Sequence, residues 1–334
     1  MVLRSHPAAP AAFLIAAALL PAAGIPATAI EAAIASPLTR PQPESGSFLR
    51  EADYRIARIG YRIATRGSAL CPQQVPLGGM LLHHLAEYGR ADRPAMATQG
   101  LDRGPGVLAV VPGGPADAAG LRAGDVLLAA NGAAFASPVE IAALPDRDQW
   151  RPRLEAEEAR LESLMAAGPV RLALLRDGAP LAATLTPVRG CPLRVRLAAS
   201  SQLTAVTQGG RYIVLTDALV ALTRNDDEIA FLIAHELAHI ALEHTARMAE
   251  AGVPRRGIAR GAGANGRVVR RTEEEADRLG GELVLAAGYD LALGVEILAR
   301  MPEGLPNFGL FRTHPPTGER IRAMRALAAA HAAR

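Results

Sequence analysis

The 334-residue sequence predicts an α+β fold. A mainly helical domain with a small edge sheet is interrupted by an inserted strand-rich domain, a β-sandwich-like barrel with helices. Three observations predict this. The apolar run 231–242, preceded by Asn225–Glu228 as a plausible helix start, reads as a helix, and it carries two histidines four residues apart. The stretch 107–186 alternates short apolar strands with glycine turns. Single cysteines, Cys71 and Cys191, stand on either side of that stretch.

The first 29 residues read as a secretory signal peptide. Arg4 supplies a positive start, Ala11–Leu20 a short apolar core, and Ala27-Thr28-Ala29 a small-residue cleavage site. Pro21 and Pro26 interrupt the core, which falls short of the ~20 apolar residues needed to span a bilayer. No cysteine follows it, which disfavours a lipid anchor. Residues 30–72 form an N-terminal segment. Within it Phe48, Leu49, Ala52, Ile56, Ile59, Tyr61 and Ile63 fall at near-helical spacing, so 47–66 is expected to be a helix packed on the helical domain.

An exported chain with two cysteines invites a disulfide between Cys71 and Cys191; the other reading is two buried thiols. The bond would close a loop of about 120 residues, for roughly 4–5 kcal/mol in the chain-entropy account.

The inserted domain is expected over 73–190. Val107–Val111 reads as a strand, Gly120 as a helix C-cap, Gly124-Asp125 as a tight turn and Asn131-Gly132 as a hairpin turn. Residues 147–167 read as a helix, and Arg176-Asp177-Gly178 turns a last hairpin from Val170–Leu174 into Ala182–Thr186.

The helical domain, 191–334, carries the chemistry. His235-Glu236-Leu237-Ala238-His239 lies inside the apolar run. Positions i and i+4 share a helix face, so both imidazoles can reach one metal ion. Zinc accepts neutral imidazole and lowers the pKa of water to roughly 7, and a neighbouring carboxylate, Glu236, can then serve as general base. The plainer alternative is a core helix with two histidines on its rim. Zinc needs a third protein ligand. Thr272–Leu279 looks like a second helix with Thr272 as N-cap, and Glu273 and Asp277 share one face of it. One can ligate while the other orients a ligand histidine. The alternative is an ordinary solvated acidic first turn.

The pair HELAH plus EEEAD resembles the gluzincin metallopeptidases of family forty-eight, which include the HtpX heat-shock protease, the CAAX prenyl proteases, the mitochondrial Oma-type protease and periplasmic relatives. The resemblance implies a zincin-type fold with one zinc per chain, held by His235, His239 and Glu273. It makes Glu236 the base and Asp277 the partner of a ligand histidine, and leaves Glu274 and Glu275 as bystanders. Arg312–Ile321 is similar to a C-terminal element of the same family. There His314 either caps the metal, assists catalysis or is a turn histidine, and Arg320 either pairs with Asp277, stabilises developing charge or sits on the surface. Two strands are expected, Arg194–Ala198 and Arg211–Leu215 after the Gln208-Gly209-Gly210 turn, then a helix from Asp217 to Leu222. One of these strands is implied as the edge that receives an extended substrate. The glycine-rich Gly252–Gly266, with Arg255, Arg256, Arg260 and Arg267 in or beside it, is expected to be a mobile surface loop, solvated or in peripheral contact with a membrane.

The run from Val107 to Gly132 resembles the PDZ domains of bacterial envelope proteases. That implies a groove for peptide or protein C-termini, assigned to the loop and strand of Gly104, Gly106, Val107 and Leu108; the alternative is a spacer with a degenerate groove.

Composition adds little. The formal charge of +3 is spread along the chain, every basic residue is arginine, and no basic block appears, so nucleic acid is excluded as a partner. The expected function is a periplasmic zinc endopeptidase acting on misfolded or membrane-associated envelope polypeptides. The alternative is an envelope chaperone or assembly factor with a latent zinc site. A site-two-type intramembrane protease lacks the membrane helices it needs.

Overall fold

The computed structural model describes residues 46–135, 150–255, 258–261, 263–301 and 317–333. The chain divides at Ser45, and all described residues fall in the second unit, Gly46–Arg334. The expected signal peptide and His314 lie outside the described residues.

Helix α1 (Gly46–Arg66) buries Ile56, Ile59 and Ile63 completely, the apolar stripe its sequence spacing demands. These side chains join the main core with Leu215, Phe231, Ile233, Leu283 and Met324. The chain then reaches Cys71, which is disulfide-bonded to Cys191 with 5.5 Å between the Cα atoms. Beside the disulfide, β1 (Val75–Leu77) pairs antiparallel with β8 (Val188–Gly190), so the region between leaves and returns through a two-stranded stem.

That region is an antiparallel sheet ordered β2-β3-β4-β6-β7, with β5 attached to β4. Its strands are β2 (Met80–His83), β3 (Gly106–Val110), β4 (Val126–Ala130), β5 (Ala133–Ala134), β6 (Val170–Arg176) and β7 (Ala179–Leu185), with α2 (Pro115–Ala118) after β3 and α3 (Trp150–Ala167) before β6. A separate core of Leu82, Val107, Leu127, Leu161, Val170, Leu172, Leu174 and Leu185 lies beneath it. Asp177 and Gly178 both have left-handed φ, 51° and 79°, as a tight hairpin turn requires.

The groove expected at Gly104, Gly106, Val107 and Leu108 needs correction. Strand β3 lies between β2 and β4 and is hydrogen-bonded on both sides, so no peptide can add to it. A Cβ on Gly104 would lie 2.1 Å from the Leu127 carbonyl oxygen, and one on Gly106 2.5 Å from His83 Nε2. These glycines serve close packing. The strand with an open side next to α3 is β2.

The rest of the chain is mainly helical. Strands β9 (Val195–Ala198), β10 (Ala205–Gln208) and β11 (Tyr212–Thr216) form a small sheet ordered β10-β11-β9, with β9 parallel to β11. Strand β10 is additional to the two strands expected there. The longer helices of the domain are α4 (Asp217–Leu222), α5 (Asp226–Ala241), α6 (His244–Glu250), α7 (Gly263–Ala286) and α8 (Thr317–Ala332). Asn225 caps α5 by accepting from the Glu228 N–H at 2.9 Å.

Two more expectations are corrected here. Among the described residues of 252–266, Ile258–Gly261 is helical and α7 begins at Gly263. A Cβ on Gly266 would meet the Gly261 carbonyl oxygen at 2.3 Å, so that glycine permits two chain segments to touch. Thr272 therefore lies inside α7 and is no N-cap. Its buried hydroxyl donates to the Val269 carbonyl at 2.7 Å.

Candidate metal centre

Helix α7 crosses α5 at close range because Gly280 sits against the backbone of His235. That approach brings the Glu273 carboxylate onto the histidine face of α5. The Nε2 atoms of His235 and His239 are 3.2 Å apart, and Glu273 Oε2 lies 3.4 Å from the first and 3.5 Å from the second. His235 and Glu273 are buried, and His239 half-buried. Tetrahedral ligands about 2.0–2.1 Å from a zinc ion stand about 3.3–3.4 Å from one another. The triangle has that size, and two imidazole nitrogens with one carboxylate oxygen are a donor set that suits zinc. The residues fit the metal.

Each ligand histidine is oriented from behind. His235 Nδ1 lies 3.0 Å from Asp277 Oδ1, and Asp277 is in turn gripped by both arms of Arg320, at 2.7 and 2.6 Å. Burial alone would raise the Asp277 carboxyl, but Arg320 and His235 hold it well below the usual carboxylate range. Burial likewise opposes charge on His235, yet its hydrogen bonds to Asp277 and Glu273 prevail and raise it to about 9. The metal must therefore displace a proton there.

His239 has a partner that sequence reasoning missed. Its Nδ1 faces His244 Nδ1 at 2.8 Å, and His244 Nε2 lies 3.2 Å from Glu275 Oε2. Glu275, expected to be a bystander, also accepts from Arg247 at 2.8 Å and Arg271 at 2.9 Å. Arg247 is the main reason its carboxyl is pushed down to about 2. His244 is fully buried, and burial pushes it down to about 4, so it is neutral.

Glu236 is buried beside the ligands. Its Oε2 accepts from the Thr207 hydroxyl on β10 at 2.9 Å. Thr207 was not singled out in the sequence; the hydroxyl in a short strand next to a glycine turn is a faint signal.

Residues 192–264 and 255–328 match Peptidase family M48, and residues 106–145 match a PDZ domain. The chain carries an M48 peptidase domain and a PDZ domain. A curated relative, the Beta-barrel assembly-enhancing protease of Yersinia pestis, is 30% identical over 158 residues, which cover 39% of this chain and 30% of that protein. The chain thus matches about a third of that relative's length. Among solved structures, the HtrA3 PDZ domain bound to a phage-derived ligand is 19% identical at a TM-score of 0.24, covering 35% of this chain and 88% of that one. The HtrA-type protease AlgW with a decapeptide is 20% identical at a TM-score of 0.23, covering 35% and 29%.

The PDZ and M48 domains meet along β2, α3 and β9. Arg194 pairs with Glu162 of α3 at 2.6 Å, and Arg196 pairs with Glu158 and, at 3.2 Å, Glu87. Arg196 also donates to the Leu82 carbonyl of β2 at 2.7 Å. Tyr212 of β11 donates to Glu158, and burial with that carboxylate pushes its phenol up, so it stays protonated. Between these contacts and Tyr61 of α1 lies a cavity of about 110 Å³, lined by Leu77, Met80, Leu161, Met165 and Leu193.

Proposed function

We propose that this chain is a zinc-dependent endopeptidase of the cell envelope, exported by its first 29 residues and acting in the periplasm on misfolded or membrane-associated polypeptides. The observation that carries the reading is the triangle of His235, His239 and Glu273 beside buried Glu236. The match to Peptidase family M48 supports it.

His235, His239 and Glu273 would hold the ion. Bound there, zinc supplies Lewis-acid chemistry, polarising a peptide carbonyl and acidifying water to a pKa of about 7. Glu236 is the general base. Its Oε2 is occupied by Thr207, so Oε1 takes the proton from the attacking water and passes it to the leaving amine. Asp277 with Arg320 keeps His235 oriented. The substrate lies extended along the small sheet, and the PDZ domain recognises a substrate or partner chain at the β2 edge.

The test is metal content beside casein cleavage, for wild type and Glu236→Gln. One zinc per chain in both, with cleavage in wild type alone, is expected. Absence of zinc from wild type overturns the reading. Zinc in both with cleavage in neither favours an assembly factor with a latent site.

A further inference from the structure

We propose that His244, aligned by Glu275, is a positioning residue that fixes the tautomer of His239 and thereby sets the zinc affinity of the site. The inference rests on the zinc reading above. It starts from two ring nitrogens facing each other. His239 Nδ1 and His244 Nδ1 are 2.8 Å apart with ring planes at 75°, so one carries the hydrogen and the other must not. His239 turns Nε2 toward His235 Nε2 and Glu273 Oε2. To donate a lone pair there, it must keep its proton on Nδ1. His244 Nδ1 is then the acceptor, and the His244 proton sits on Nε2, 3.2 Å from Glu275 Oε2.

The opposite polarity fails at both ends. A proton on His239 Nε2 would occupy the centre of the ligand triangle. A bare His244 Nε2 would face the Glu275 carboxylate, which Arg247 and Arg271 keep ionised. Glu275 therefore sets the direction of the whole chain, and His244 transmits it. His235 receives the same service from Asp277 directly. The two arms differ because a backbone break lies between His239 and His244. Residues i and i+5 do not face each other on a straight helix. Glu243 takes a left-handed φ of 53°, which ends α5 and turns the start of α6 back against it.

Three substitutions separate positioning from packing. Asn places an acceptor near the former Nδ1, so His244→Asn keeps the contact to His239. Gln reaches toward the former Nε2 and fills more volume, so His244→Gln keeps the side facing Glu275 and loses the acceptor. His244→Leu keeps volume alone. The zinc dissociation constant of each full chain is measured by competition with a fluorescent chelator, beside the melting temperature of the metal-free protein. Zinc affinity is expected to fall about 10- to 100-fold in the Leu and Gln variants and to recover to within about fivefold of wild type in the Asn variant. If wild type binds one zinc and the Gln variant binds as tightly as Asn, positioning is overturned while the zinc reading stands. If wild type binds no zinc, both fall. Should the Leu variant fail to fold, the Asn and Gln pair still decides.

Discussion

Gly280→Ala tests whether helix proximity makes the site. A Cβ at Gly280 would stand 3.0 Å from both Cα and N of His235 and 3.2 Å from the Ala234 carbonyl carbon, where ordinary contact begins at 3.4 Å. All three atoms are backbone, so no side chain can rotate away. Helix α7 must retreat from α5 by about 0.4 Å. Glu273 lies two turns earlier on the same face and moves with the helix, while His235 and His239 stay on α5. Metal–ligand distances tolerate about 0.2 Å. The retreat exceeds that, and zinc affinity should fall at least about tenfold, or ~1.4 kcal/mol.

Stability discriminates less well. Replacing a mid-helix glycine by alanine gains about 1 kcal/mol of propensity, and overpacking costs about 1–3 kcal/mol, so the two nearly offset. Affinity is therefore the assay, by chelator competition on the intact chain. Gly281→Ala is the control. Its Cβ would meet side-chain atoms alone, of Leu327 at 2.7 Å, Leu291 at 3.1 Å and Met324 at 3.2 Å, and these can rotate away. It should alter stability and leave zinc affinity within about threefold. A Gly280→Ala protein that binds zinc as tightly as wild type would refute the argument.

Three other outcomes follow from the structure. Asp277→Asn leaves buried Arg320 without its counter-charge and should cost about 3 kcal/mol in denaturant unfolding; a change below about 1 kcal/mol would show that the pair is dispensable. Replacing both Cys71 and Cys191 by Ser reopens a separation of 120 residues and should cost about 4–5 kcal/mol, with reductant doing the same to wild type; an unfolding midpoint insensitive to reductant contradicts this. Thr207→Val removes one hydrogen bond to the Glu236 carboxylate, worth about 1.5–3 kcal/mol, so kcat should fall about 10- to 100-fold with zinc content unchanged; unaltered kcat removes Thr207 from the machinery.

What the sequence reveals is what lies on single helices. Helix α5 announces itself through an apolar run, Asn225 at its start and histidines four apart. Glu273 and Asp277, also four apart, share a face that needs no tertiary knowledge, and Arg320 was a possible partner on chemistry alone. The parts it hides depend on backbone geometry between elements. His244 reaches His239 only because Glu243 bends the chain, and Thr207 reaches Glu236 only because β10 runs along α5. Glycine misleads most. Gly266 suggests looseness by composition, yet it marks a contact too tight for a Cβ, as Gly280 does within α7. The groove was misplaced for the same reason, since Gly104 and Gly106 pack the interior of the sheet and leave β2 as its edge.

The join between the two domains is mixed, with Ala57 of α1 packed on Ala109 and Val111 beside a cluster of charged groups, and this bears on how they work together. Arg194, Arg196, Glu158, Glu162 and Tyr212 form the charged cluster. Strand addition to β2 would use the Leu82 carbonyl, the same atom that Arg196 now holds. A chain end entering that groove must release Arg196 from β2. Arg196 belongs to β9, β9 pairs with β11, and β11 with the strand that carries Thr207. Binding at the PDZ domain and the setting of Glu236 are thus joined by one small sheet, and any linkage between them is reciprocal. Arg196→Ala frees Leu82 in advance, so a labelled peptide with an apolar C-terminal residue should bind about tenfold tighter by fluorescence anisotropy, the equivalent of one charge-assisted hydrogen bond no longer displaced. Equal affinity for both proteins would mean that Arg196 does not guard the groove.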